Sequence, residues 1–254
     1  MALYRDPRLE PQAVRARYND PVAYAEVDQW HKFTEQQLRL EVARSWSSLR
    51  IRDGQSILNA GAGGNDLGLH PPPTISLDIS EIRIAHSPNP VVASIEAMPL
   101  ANQTVDTILC VGSVINYCDA AGAISEFSRV LRLKGYLVLE FESSRSAELL
   151  TQDAYGRPVA VAETFFAGQQ EAVWVYSPEY IKNLLSAAGF ATIRAVPIQI
   201  LSPWVLLITH SVRTASVVAR LDRLTKRFPV LSRWASNHLL ICQKHRNLVD
   251  GNTY

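Results

Sequence analysis

Cysteine is scarce in this chain of 254 residues: Cys110, Cys118 and Cys242 are the three present, and no two have C-x-x-C spacing. An odd number of scattered cysteines fits a reducing compartment and gives neither a disulfide framework nor a zinc site. Charge is thin as well, with Asp, Glu, Lys and Arg at 19% and a formal net charge of +1. A chain this close to neutrality has no whole-molecule field to draw it to nucleic acid, and no nucleic-acid partner is expected. Long apolar runs are missing too: no stretch approaches the ~20 residues that span a bilayer. Arg5, Asp6, Arg8 and Glu10 stand where a secretory signal would need an apolar run. The expected location is cytoplasmic.

What is present is a large apolar complement, 47% of residues, enough to bury the core of one α/β domain with a cap, or of two small domains. The chain is organised around residues 56–66, SILNAGAGGND. Ile57, Leu58, Asn59 and Ala60 have strand character and run straight into a turn of Gly61, Ala62, Gly63 and Gly64. Without a Cβ in the way, such a turn lets backbone approach a ligand closely, and its N–H groups point beyond the sheet edge. Asp78 closes a second short apolar run, 74–79, where an acid in a doubly wound sheet accepts from a ribose diol. The bland alternative for this stretch is a buried strand and a glycine turn with no ligand.

Residues 56–64 with Asp78 resemble motif I of the Rossmann-like (class I) S-adenosylmethionine-dependent methyltransferases, in which an acid precedes a G-x-G-x-G turn. Further pieces of that family's pattern follow in order: Met98-Pro99-Leu100, Val105-Asp106 before a nearly continuous apolar strand at 107–111, and Arg129-Val130-Leu131 before Gly135. The resemblance covers residues 56–142 and implies an α/β fold with a seven-stranded, mostly parallel sheet and S-adenosylmethionine as cofactor. It implies cofactor contacts from Asn59, Ala60, Gly61 and Gly63 at the first turn and from Asp78 and Ile79 at the second strand. Ser94, Ile95 and Glu96 would lie near the adenine, Val111 and Ser113 beyond the fourth strand, and Tyr18 of the N-terminal segment above. Three residues depart from the family pattern. Asn59 stands for the usual carboxylate, Asn65 for the third glycine, and Ser94 for the acid that meets the adenine amino group.

The crossovers are trimmed. Pro71, Pro72 and Pro73 limit any helix after the glycine turn to one or two turns, and the connection at 80–89 is equally short. Missing full-length helices weigh against an NAD(P) oxidoreductase, which would seat its pyrophosphate on one. No N/D-P-P-Y/F tetrapeptide follows the fourth strand and no Pro-Cys nucleophile appears, so base methylation is disfavoured.

The remaining chain divides as an N-terminal helical segment over the site at 1–50, a core at 51–200 with an inserted hairpin near 157–176, a basic helical insertion at 201–236, and a last strand with tail at 237–254. Within 1–50, one helix opens at Pro11 and a second at Asp20-Pro21. An amphipathic helix is expected at 120–131, hairpin strands at 159–166 and 171–176, a helix from Ser177 to Gly189, and a sixth strand at 192–197. A helix at 203–227, a short one at 230–235 and a strand at 238–244 complete the pattern. The insertion carries Arg213, Arg220, Arg223, Lys226, Arg227 and Arg233 against Asp222 alone. That run reads as a solvated face, as a surface for an anionic acceptor such as a nucleotide-linked sugar, or, less favoured, as a membrane contact.

The expected function is methyl transfer to a small-molecule acceptor, with oxygen the favoured atom. The displacement is in-line on an already electrophilic methyl, so positioning dominates and a base need only take the acceptor's proton. Glu142, just past the fifth strand, is the first candidate for that base, followed by Tyr117 and His31. No metal is expected, and the oligomeric state stays open. The rival readings are a non-catalytic binding protein on the methyltransferase fold and, less favoured, an NAD(P) oxidoreductase.

Overall fold

The computed structural model describes residues 6–20, 29–65, 67–166, 169–219, 222 and 229–247. Helix α1 (Pro11–Asn19) begins at its proline, whose missing N–H costs nothing at a first helical position. Helix α2 (Gln29–Ser47) follows, and the expected helix start at Pro21 lies outside the described residues. Strands β1 (Ile57–Ala60) and β2 (Ile75–Asp78), the single turn α3 (Glu81–Ile84), β3 (Pro90–Val92) and β4 (Val105–Cys110) come next. After a 3-10 turn (Val114–Tyr117) the chain forms α4 (Ala120–Val130) and the long strand β5 (Leu131–Glu142). A further 3-10 turn (Ala147–Leu149) leads to the hairpin of β6 (Val159–Phe166) and β7 (Gln169–Tyr176). The last part holds α5 (Pro178–Ala187), β8 (Phe190–Ile198), α6 (Ser202–Thr209), α7 (Val212–Val218), α8 (Pro229–Ser232) and β9 (Asn237–Lys244).

Among the described residues seven strands form one sheet in the order β3-β2-β1-β4-β5-β9-β8, and β6 pairs with β7 in a separate two-stranded sheet. Strands β3, β2, β1, β4 and β5 pair in parallel, and β9 runs antiparallel between β5 and β8. The chain leaves β1 in one direction to build β2 and β3 and returns to the other side to build β4 and β5. A crevice opens at that reversal, beyond the carboxyl ends of β1 and β4.

Alternation along the strands divides the core between two faces. Leu58, Ile108, Leu137 and Leu139 pack with Phe127 of α4 and Ile181 of α5. Ile57, Leu109, Val138 and Leu239 pack with Val42 and Trp46 of α2. Because both faces are covered, the central strands read as continuous apolar runs. Lys244 is buried yet satisfied: its Nζ donates to the Ser128 and Leu131 carbonyls at 2.6 and 2.8 Å, capping the C-terminal end of α4. Burial holds its ammonium below the ordinary lysine value.

Two expectations about helices change. No helix follows β1 among the described residues; turns carry the chain from Leu67 to Pro73. The helix expected over 203–227 is broken at His210, which takes φ +51° and closes α6 by donating its N–H to the Leu206 carbonyl at 2.8 Å. Ser211 then caps α7, its hydroxyl accepting from the Thr214 N–H. Arg220, Arg223, Lys226 and Arg227 lie outside the described residues, while Arg213 and Arg233 are exposed. No described helix is long and apolar enough to cross a membrane.

Candidate active site

The crevice beyond β1 and β4 widens into a cavity of about 1110 Å³. On its β1–β2 side the glycine turn is tied to the second strand. The N–H groups of Gly61 and Ala62 both donate to the Leu77 carbonyl, at 2.7 and 3.0 Å. Gly63, at φ +54°, donates to Asp78 Oδ2 at 2.9 Å, and a Cβ added there would meet nothing within 4 Å. That face of the turn is therefore open to a ligand. Gly61, at φ +78°, is glycine for another reason: an added Cβ would collide with the Val114 side chain.

Asp78 accepts the Ser80 N–H on its other oxygen at 2.8 Å. Burial raises its carboxyl above the usual range, opposed by the Ser80 and Gly63 N–H groups and by the Arg83 charge. The two carboxylate oxygens offer about four lone-pair sites, so the Gly63, Ser80 and Ile79 N–H groups leave acceptor capacity toward the cavity. An acceptor at the end of β2 beside an open glycine turn fits a ribose diol and so fits S-adenosylmethionine. The departure at Asn59 has a local cause. Its Nδ2 donates to the Asn65 carbonyl at 2.7 Å, while Asn65 Oδ1 accepts the Leu67 N–H at 2.9 Å. A carboxylate at position 59 would have no proton to offer that carbonyl. The two asparagines together hold the turn where the crossover helix is missing.

Ile79, Ser94, Ile95 and Glu96 line the same side of the cavity. Ser94 Oγ accepts the Glu96 N–H at 3.1 Å, and Glu96 Oε1 accepts the Asp119 N–H at 2.9 Å. Ala60 differs from its expected companions: it is fully buried in the sheet core and does not line the cavity.

On the β4–β5 side, Val111, Gly112 and Ser113 form the turn after β4. Gly112 and Ser113 both have positive φ, and their N–H groups converge on Glu140 Oε2 at 2.9 and 2.7 Å. Glu140 is fully buried in β5 and accepts a third bond from Asn237 Nδ2 at 2.6 Å. It acts as a strut for this turn, and burial keeps its carboxyl above the usual range despite those donors. Glu142, two residues on, faces the cavity and accepts from the Ser113 hydroxyl. Burial, with like charge from Glu140, Glu148 and Glu171, pushes Glu142 up to about 7. Asn116 fixes its backbone, accepting the Glu142 N–H at 3.0 Å and donating to the Trp174 carbonyl at 2.5 Å.

Tyr117 donates its hydroxyl to Glu171 Oε1 at 2.9 Å, and Arg17 pairs with Glu171 Oε2 at 2.8 Å. Tyr18 meets Tyr117 of the 3-10 turn edge-to-face at 5.6 Å, and the Arg17–Glu171 pair joins α1 to the hairpin, so the three elements close one wall together. From α2, Trp30 Nε1 donates to Glu148 Oε1 at 3.1 Å, and His31 lines the cavity near the same carboxylate. Tyr117, His31 and Glu142 thus share one half of the cavity with Glu140, Glu148 and Glu171, which sequence reasoning missed. Glu140 did carry a signal, an acid inside the apolar run of β5. Glu148 and Glu171 carried none, since their partners come from distant helices.

A profile of the family described as methyltransferase domain matches residues 66–139. Solved structures share the fold. A protein from Thermotoga maritima, described as an S-adenosylmethionine-dependent methyltransferase and possible histamine N-methyltransferase, matches at TM-score 0.54 and 15% identity, over 86% of this chain and 93% of that one. A putative S-adenosylmethionine-dependent methyltransferase from Listeria monocytogenes matches at TM-score 0.57 and 13% identity, over 85% and 100%. Geranyl diphosphate C-methyltransferase from Streptomyces coelicolor A3(2), in complex with Mg2+, geranyl diphosphate and S-adenosyl-L-homocysteine, matches at TM-score 0.56 and 13% identity, over 94% and 99%. No curated protein matches the chain in sequence.

Proposed function

We propose that the chain, whose residues 66–139 match a methyltransferase domain family on a fold shared with S-adenosylmethionine-dependent methyltransferases, methylates a small molecule bound beside Glu142. The observation that supports this reading is the division of one cavity. Asp78 and the open Gly63 turn line one side, and Glu142 lines the other, across the reversal point of the sheet. S-adenosylmethionine, when bound, supplies an electrophilic methyl group on a sulfonium. Asp78 would hold the ribose diol, with Ile79 and Ile95 against the adenine and Glu96 near its amino group. Glu142 would take the proton from the acceptor's heteroatom as its lone pair attacks, and a carboxylate near 7 is poised for that at neutral pH. Tyr117, held by Glu171, and Trp30, held by Glu148, would orient the acceptor and exclude water, which supplies most of the rate in an in-line displacement.

Calorimetric titration with S-adenosylmethionine, S-adenosylhomocysteine and NAD tests the cofactor assignment. The two adenosyl compounds are expected to bind and NAD to give no heat; the reverse would move the chain to the oxidoreductases. Release of S-adenosylhomocysteine when the protein is offered acceptor pools separates the enzyme from a binding protein of the same fold.

A further inference from the structure

Resting on that reading of the cavity, we propose that the acceptor is a small amine with an apolar body, bound as a cation and methylated on nitrogen. The carboxylates Glu140, Glu142, Glu148 and Glu171 surround the half of the cavity beyond β4 and β5. Glu171 faces an arginine. Among the described residues Glu140, Glu142 and Glu148 have no Lys or Arg ion pair. They meet two backbone N–H groups and Asn237, the Ser113 hydroxyl, and the Trp30 indole with the Ser146 hydroxyl. The arginines on the cavity wall among the described residues are engaged elsewhere: Arg39 pairs with Glu35 at 2.7 Å, and Arg83 donates to the Tyr18 carbonyl at 3.2 Å. His31 adds a positive influence at Glu148 and is not among the charges acting on Glu140 or Glu142. A phosphate or carboxylate entering this half would be repelled, and a cation drawn in. The expectation of an anionic acceptor drew on the C-terminal arginines, none of which lines the cavity among the described residues.

Geometry separates an organic cation from a metal ion. Among the described residues no three His, Cys, Asp or Glu side chains come together as a metal site. The carboxylates are instead spread around a space walled by Tyr18, Trp30 and Tyr117, with Phe33 stacked on Trp30 at 5.7 Å. Dispersed negative charge with aromatic faces between suits an ammonium group on an apolar body.

The reaction balances without another reactant. The ammonium gives one proton to the Glu142 carboxylate, and the freed nitrogen lone pair attacks the methyl carbon as the carbon–sulfur bond breaks. That bond's electron pair stays on sulfur, leaving a thioether and a methylated ammonium, and Glu142 returns its proton to solvent.

The test uses the full chain loaded with S-adenosylhomocysteine and three probes that differ in one group: phenethylamine, phenethyl alcohol and hydrocinnamate. Phenethylamine is expected to bind about tenfold tighter than the alcohol, as a partly desolvated charge partner should, with hydrocinnamate weakest. Glu148→Gln should reduce that preference, Glu148→Asp should keep most of it, and neither should change S-adenosylhomocysteine affinity. Hydrocinnamate binding as well as the amine, no preference among the three, or an amine affinity indifferent to Glu148→Gln would each overturn the proposal. Failure of S-adenosylhomocysteine to bind, read first on the same protein, overturns the cofactor reading and this inference with it. A missing amine preference on the loaded protein overturns the inference alone.

Discussion

The Asp78 carboxylate accepts the Gly63 N–H at 2.9 Å, joining the end of the second strand to the glycine turn after the first. One side chain thus shapes the turn and, on our proposal, offers its remaining lone pairs to a ribose. The dual role matters for how its variants are read. A loss of ligand affinity alone would not tell binding from shape, so stability must be followed with it.

Asp78→Ala should weaken S-adenosylhomocysteine binding by about 1.5–3 kcal/mol, the range for a charge-assisted hydrogen bond. It should also lower the urea midpoint, because the Gly63 and Ser80 N–H groups lose their acceptor. Asp78→Asn retains one acceptor oxygen and should fall between the two proteins in both measurements. Unchanged affinity in both variants would remove the ribose assignment.

Restoring the family's carboxylate by Asn59→Asp should destabilise this chain. The Asn59 amide donates to the Asn65 carbonyl at 2.7 Å, and an ionised acid there sets oxygen against oxygen. The cost should be ~1–3 kcal/mol at neutral pH. It should shrink in acid, where the protonated carboxyl can donate again. Urea denaturation at two pH values reads both effects.

Glu142→Gln should lower kcat by roughly 10²–10⁴, the usual contribution of a general base, while S-adenosylhomocysteine still binds. With Glu142 pushed up to about 7, wild-type turnover should rise as pH passes through that value. The variant should lack that limb. A wild-type pH profile that stays flat from about pH 6 to about pH 8 would argue that another group takes the proton.

The same residue sets a stability test. Its carboxyl in the folded chain lies above the ordinary value of 4.5, at about 7. The folded state therefore holds the proton better than the unfolded one between those values. The associated stability is fully present below 4.5 and lost as pH rises through about 7. Glu142→Gln should then raise Tm relative to wild type above neutrality and leave it nearly equal in acid. Thermal melts across that range check the crossing.

Two arginines tie the N-terminal elements to the hairpin with unequal weight. Arg17 pairs with Glu171 at side-chain exposures of 21% and 7%, whereas Arg8 pairs with Glu163 at 50% and 42%. Arg17→Met should cost ~1–3 kcal/mol by leaving a buried carboxylate short of a partner. Arg8→Met should cost at most about 1 kcal/mol, as exposed pairs do. Equal losses in urea would mean that α1 is held by packing and not by the Glu171 pair.

Much of the architecture could be read along the chain because its causes are local. The apolar run of β4, the glycine turn after β1, the acid at the end of β2 and the Ser177-Pro178 helix start each act within a few residues. The hairpin at β6 and β7 announced itself by alternation around a short turn. The break at His210 did not, since residues 203–227 contain good helix formers and no glycine or interior proline to mark it. The missing helix after β1 was foreshadowed by three prolines, but the asparagine pair that replaces it joins residues whose roles look unrelated in sequence.

The sequence alone determined the strands, the glycine turn and the acid at the end of β2, because strand burial and turn chemistry are written at short range, and the resemblance these residues carry implied the seven-stranded sheet. Tertiary structure decided the character of the acceptor half. Glu148 receives Trp30 across 118 residues, Glu140 receives Asn237 across 97, and Glu171 shares Tyr117 across 54. Whether a carboxylate is a solvated surface group or one held by distant partners on a cavity wall depends on what packs beside it. No spacing rule carries that information, because burial and like charge come from elements that meet only when the chain folds.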